Sequence, residues 1–217
     1  MTGLGVGALL LAIAVACGDE RAPPPGGALL EAAARGDEES VRRLLARGAD
    51  ANDADATGRT AVTAAVYAGS APVVRLLVDA GADVDRQDDT RANALLALGE
   101  TGDVDVLEEV LRARPDVRRT NRFGGTALIP AADRGHVAMV RALLDQTDVD
   151  VDHVNDLGWT PLIEAVILGD GGPPHTKIVR LLLDAGADRS IADREGVTPL
   201  EHARRRGYAD IVALLEQ

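Results

Sequence analysis

Residues 148–156 read DVDVDHVND and place Asp148, Asp150, Asp152, His153 and Asp156 within one short stretch. Carboxylates and an imidazole at that density are the kind of donor set that holds Ca²⁺ or a transition metal. Alternation along an extended segment, however, sends successive side chains to opposite faces. Aspartates in turns also bond their own backbone amides, which gives them a second reason to be there. The weight falls on that second reason, and no metal or other cofactor is expected.

Other catalytic constellations are thin. The chain has four histidines, His136, His153, His175 and His202, and they share no common segment. Its three serines, Ser40, Ser70 and Ser190, sit in no nucleophile elbow, and no HExxH occurs. The Gly-x-Gly of GLGVGA (3–8) follows no strand and lies in an apolar leader, so it is no nucleotide loop. His136 follows an inter-helix glycine and reads as structural. The expectation is a non-enzymatic protein.

Composition points the same way. Acidic residues outnumber basic ones 35 to 23, for a net charge of −12. Phosphate backbones need neutralising Lys and Arg, so nucleic acid is not an expected partner. Aromatics are Tyr67, Phe123, Trp159 and Tyr208 alone. An Ala, Leu and Val core suits thin helical layers at close distance. With one cysteine, Cys17, no disulfide within the chain can form.

Residues 4–16, LGVGALLLAIAVA, are too short an apolar run to span a bilayer and fit the h-region of a signal peptide covering 1–16. Ala14-Val15-Ala16 then Cys17 resembles the bacterial lipobox. That resemblance implies cleavage before Cys17, lipid attached to it, and a membrane-anchored lipoprotein on the periplasmic or extracellular face. Ala14 stands where the lipobox family has Leu, and no Lys or Arg precedes the run. Ordinary cleavage at the same bond would release a soluble periplasmic or secreted protein. Residues 17–27, CGDERAPPPGG, read as the lipidated Cys and an extended Pro/Gly tether.

The elements that position the remaining side chains repeat. Thr60, Asn93, Thr126, Thr160 and Thr198 fall 33, 33, 34 and 38 residues apart. Each opens a short Ala/Leu helix, and Thr160 followed by Pro161 has the chemistry of a cap and a first helical residue. Gly69, Gly102, Gly135 and Gly207 end that helix. A second helix follows with Val and Leu at i, i+3, i+4 spacing, as in VVRLLVDAGAD (73–83) and IVRLLLDAGAD (178–188). Neither helix can bury its apolar face alone, so the units must stack.

DxxGxT at 193–198, TPL at 160–162 and 198–200, RGHV at 134–137 and LLxxxGAD at 76–83 and 181–188 make the chain resemble the ankyrin repeat. The resemblance implies an all-α repeat solenoid of about six helix-turn-helix units with short hairpin finger loops: 28–54, 55–87, 88–120, 121–154, 155–192 and 193–217. The family's His after TPL is absent, and the third unit is degenerate. The first unit lacks a finger and reads as a cap.

The resemblance also implies a concave face of finger tips and first helices on which protein partners bind. Arg122, Phe123, Asp133, Arg134, Asp156, Leu157 and Trp159 map there and form the expected binding cluster. The expected function is a monomeric protein-binding scaffold acting on envelope proteins of a bacterium. Its alternatives are an envelope enzyme or ligand-binding protein using the finger carboxylates, and a cytosolic module whose N-terminus is misread. GDGGPPHT (169–176) has no counterpart in the other units. It reads as an inserted loop, with Pro173 and Pro174 keeping helix out and Lys177 starting the second helix. Asp170, Pro173, Pro174 and His175 there form a candidate second contact site.

Overall fold

Twelve helices in six antiparallel pairs account for nearly all regular structure in a computed structural model that describes residues 27–217. The apolar leader, Cys17 and all of the tether but Gly27 lie outside the described residues. The pairs are α1 (Ala28–Ala34) with α2 (Glu38–Ala46), α3 (Ala61–Tyr67) with α4 (Ala71–Asp79), and α5 (Ala94–Thr101) with α6 (Val104–Leu111). They continue as α7 (Leu128–Asp133) with α8 (Val137–Gln146), α9 (Pro161–Ile167) with α10 (Pro173–Asp184), and α11 (Pro199–Arg206) with α12 (Ala209–Leu215). No strand occurs among the described residues; a single antiparallel bridge joins Ala54 to Thr60.

First helices stack on first helices and second on second, α1 on α3 and α4 on α6 for example. One core therefore runs the length of the stack. Leu29, Leu77, Leu98, Leu107, Leu128, Leu162 and Leu182 are among its fully buried side chains. Each contributes about 1.5–3 kcal/mol through burial.

The expected caps are present at four of five sites. Thr60, Asn93, Thr160 and Thr198 accept through their side chains from the amides of Thr63, Leu96, Ile163 and Glu201. Glu201 Oε2 accepts in return from the Thr198 amide at 2.8 Å, which completes a capping box. Thr126 departs from the pattern. The Ile129 amide bonds the Thr126 backbone carbonyl, its Oγ1 has no protein partner, and α7 starts late and is only six residues long.

Each finger is a side-chain-capped turn. Asp55, Asp88, Asn121, Asn155 and Asp193 each accept, through Oδ1, the amides two and four residues ahead. Neighbouring fingers are tied by backbone bonds such as Asp156 N to Phe123 O at 2.9 Å. The aspartates among them, Asp55, Asp88 and Asp193, thus serve local turn chemistry.

In the degenerate third unit two arginines take the places of turn glycines. Arg91 (φ 60°) stands where other fingers have Gly58 and Gly124, and Arg114 (φ 54°) stands after α6 where Gly48, Gly81 and Gly186 close other second helices. A side chain in the left-handed region costs about 1–2 kcal/mol. Arg114→Gly should therefore raise stability by about 1 kcal/mol, read as a higher urea midpoint at unchanged slope.

The insertion differs from its expected form. Pro173 and Pro174 do not keep helix out of the segment; they are the first two residues of α10, which begins four residues before Lys177. The first turn of a helix needs no amide, and proline's fixed φ is preset for it. His175 is turned inward rather than offered as a contact group. Its Nε2 meets the Asp133 carbonyl at 2.8 Å and its Nδ1 meets Asp170 Oδ1 at 2.9 Å. His136 makes the equivalent bond to the Glu100 carbonyl (3.0 Å), and the Tyr208 hydroxyl donates to the Gly169 carbonyl (3.0 Å). In three successive units, then, a ring near the start of the second helix is pinned to the end of the preceding unit's first helix. Asp170, Pro173 and Pro174 remain exposed.

Candidate functional site

The finger acids do not converge. Asp150 accepts the Asp152 amide, Asp152 accepts the Asp188 amide of the next unit, and Asp148 lies 3.7 Å from Arg118. His153 Nε2 meets the Gly124 carbonyl at 2.7 Å. Among the described residues, no group of three His, Cys, Asp or Glu is arranged to hold a metal ion.

The concave face is different. Four large apolar side chains stand out of it: Tyr67 (41% exposed), Phe123 (51%), Leu157 (47%) and Leu168 (50%). Phe123 and Leu157 are held out by adjacent fingers, in each case two residues after the capping Asn. Tyr67 and Leu168 close the first helices α3 and α9. Arginine guanidinium groups lie over two of the rings, Arg59 over Tyr67 at 5.2 Å and Arg122 over Phe123 at 4.8 Å.

Between the fourth and fifth units Phe123, Leu157 and Leu168 border a cavity of about 240 Å³. Phe123, Ile129, Leu157 and Leu168 form its apolar walls, Glu100, Asp133 and Arg134 its polar ones, and Asn155 and Glu164 also line it. A somewhat smaller recess shares Phe123 and Glu100 and continues to Arg122 and Tyr67.

Of the expected cluster, Phe123, Asp133, Arg134 and Leu157 meet around this cavity, and Arg122 adjoins it. Asp156 and Trp159 are not among its lining residues; Trp159 is half-buried and Asp156 packs beside Gly124.

The residue missed from sequence is Glu164. It occupies the α9 position held by Ala64, Ala97 and Pro130 in other first helices, and it is only 4% exposed. A glutamate replacing small apolar residues at a repeat position was the available signal. Its Oε1 accepts from Asn155 Nδ2 at 2.7 Å, and no described residue donates to Oε2. Burial, with the Asp133 charge second, raises its pKa to about 7 against the lowering effect of the Asn155 bond. In the sixth unit the same two positions hold His202 and Asp193, bonded at 2.6 Å.

The family model for ankyrin repeats, in three copies, matches residues 9–88, 29–108 and 94–188. The chain belongs to the ankyrin repeat family. Two solved ankyrin structures resemble it closely. An ankyrin repeat domain from Acinetobacter baumannii AYE is 44% identical with a TM-score of 0.84, covering 88% of this chain and 97% of that one. The ankyrin repeat protein EF0377 is 38% identical with a TM-score of 0.85, covering 89% and 98%. The putative ankyrin repeat protein YahD of Escherichia coli K12 is 47% identical over 79 residues, 36% of this chain; that match spans about two fifths of YahD's length (39%).

Ankyrin repeat domains are in general protein–protein interaction modules and typically non-enzymatic. The groove just described presents aromatic, Arg and Leu side chains on hydrogen-bonded turns. Rigid presentation reduces the ordering cost that a flexible loop would incur on binding.

Proposed function

We propose that this ankyrin repeat protein is a non-enzymatic scaffold of the bacterial cell envelope that holds a partner protein against its concave face. The observation that carries this reading is the run of exposed apolar side chains, Tyr67, Phe123, Leu157 and Leu168, bordering the cavity between the fourth and fifth units and the recess beside it. Aromatic and Arg anchors beside a pocket are what interface hot spots are made of. The stack supplies rigidity, since each unit is fastened to the next through buried helices, fingers and the three pinned rings.

The location rests on the apolar run 4–16 and the sole cysteine directly after Ala14-Val15-Ala16. Cys17 would carry the lipid, and the Pro/Gly tether would hold the groove clear of the membrane.

Crosslinking in the native envelope, followed by partner identification, tests both parts. Phe123→Ala with Arg134→Ala should abolish recovery of the principal crosslinked partner while the thermal midpoint stays within a few degrees. Exposed groove side chains contribute little to folding, whereas a hot-spot pair removes about 2 kcal/mol or more of binding, roughly thirtyfold. Recovery unchanged by the double substitution would discard the groove. Labelling with a palmitate analogue should mark the wild type and not Cys17→Ala; equal labelling of the two would discard the lipid anchor.

A further inference from the structure

Glu164 is costly as placed. It is a carboxylic acid only 4% exposed, with one oxygen bonded by Asn155 and the other left to a cavity that no protein donor fills. Its charged form is disfavoured because the carboxyl group is largely withdrawn from water. Around it the cavity carries two further carboxylates, Glu100 and Asp133, against the single guanidinium of Arg134. Its remaining walls are largely apolar. The site therefore combines a deep acceptor, an acidic surround and an aliphatic lining.

An arginine side chain matches all three. Its methylenes suit apolar walls while its head seeks acceptors. Its five N–H donors lie in a planar fork and can serve several carboxylate oxygens at once, which a lysine ammonium does less well. The usual objection to an ion pair in a pocket is the desolvation cost of both ions. Here the fold has already removed much of the acid's hydration, so the larger share of the remaining cost falls on the arginine. An acidic partner residue would meet repulsion, and an apolar one would leave Oε2 unserved.

We propose that this cavity is the socket for one arginine side chain, carried on a segment of the partner protein that crosses the groove, with the guanidinium held by Glu164 and Asp133 and the stem packed on Phe123, Leu157 and Leu168. The inference deepens the groove reading above and rests on it.

The test titrates full-length protein with N-acetyl-arginine methylamide and follows backbone amide shifts by NMR. Saturable shifts at Asn155, Glu164 and Leu168 are expected. The citrulline analogue, which has the shape without the charge, should bind roughly tenfold more weakly or worse, and Glu164→Gln should weaken arginine binding to the same degree. Asp133→Asn, at a half-exposed position, is the second variant and should weaken it less. Equal binding of citrulline and arginine, or shifts confined to other acidic surfaces, would overturn the proposal. Agmatine binding more tightly than the capped arginine would point to a free guanidine and overturn the polypeptide source. An envelope partner whose crosslink is lost in the Phe123/Arg134 double variant but kept in Glu164→Gln would leave the groove standing and remove the arginine socket.

Discussion

Glu164→Gln should make this protein more stable at pH 8 and leave it unchanged near pH 4.5. The folded state raises the Glu164 pKa from 4.5 to about 7, with burial as the first cause and the Asp133 charge as the second. Well below 4.5 the side chain is neutral in both folded and unfolded chains, and the glutamine changes little. Between 4.5 and 7 the folded protein binds the extra proton, so stability falls as pH rises through that window. Above 7 the full cost of the buried charge is present and constant.

At about 1.36 kcal/mol per pH unit the cost is capped near 3 kcal/mol. The open mouth of the cavity lets water reach Oε2, which brings the expected gain to about 2 kcal/mol. The substituted glutamine keeps an oxygen for Asn155 and places an uncharged amide toward Asp133. For a chain of this length that is a rise in Tm of about 4–8 °C at pH 8. Urea unfolding of both proteins from pH 4.5 to 8 measures it. Parallel curves across that range would show that Glu164 is not the buried acid described here. Because Glu164 also forms the floor of the arginine socket, the same variant should gain stability and lose ligand. A group retained at a stability cost in a binding pocket is a familiar trade between the two.

The second large effect comes from Gly99, within α5. Alanine is the better helix former by about 1 kcal/mol, so propensity alone predicts that Gly99→Ala stabilises. Packing decides otherwise. A Cβ at this position would lie 2.4 Å from the Ala127 carbonyl oxygen, 3.1 Å from its carbon and 2.9 Å from Pro130 Cγ. Two of these atoms are backbone and the third belongs to a stiff ring, so none can swing aside. Overpacking of this kind costs about 1–3 kcal/mol, occasionally more, through backbone movement.

The net expectation is a loss of about 2 kcal/mol, seen as a lower urea midpoint. It should also reach the groove, because Pro130 and Ile129 line the cavity and would be displaced with α7. Gly48→Ala is the contrasting control. Nothing lies within 4 Å of its Cβ, and only its positive φ opposes the change. A stabilised Gly99→Ala would mean that α5 and α7 are not in such close contact.

What could be read from sequence was local or periodic. Threonine caps, inter-helix glycines and Asp-based finger turns each bond within a few residues, so their chemistry is complete within a short window. The 33-residue period then implied stacking, because a lone helix pair has nowhere to bury its leucines. Register alone assigns Phe123, Asp133, Arg134 and Leu157 to one face, and the structure brings them around one cavity. The same register also puts Trp159 and Asp156 in the cluster, and they fall outside the cavity lining. Register fixes which finger a residue belongs to, but not which way its side chain packs.

The remainder depended on distances between units. Glu164 was one acid among many until the neighbouring unit brought Asp133 near it, the finger brought Asn155, and the fold left its second oxygen to a cavity. Gly99 was an ordinary glycine until α7 came within contact distance. GDGGPPHT read as a loop because prolines usually end helices. Its second half is the first turn of a longer helix, because His175 reaches the preceding unit and the prolines fall where no amide is needed. Repetition and short-range hydrogen bonds determined the solenoid; the depth of the groove, the charge it buries and the direction of His175 were decided only when one unit packed against the next.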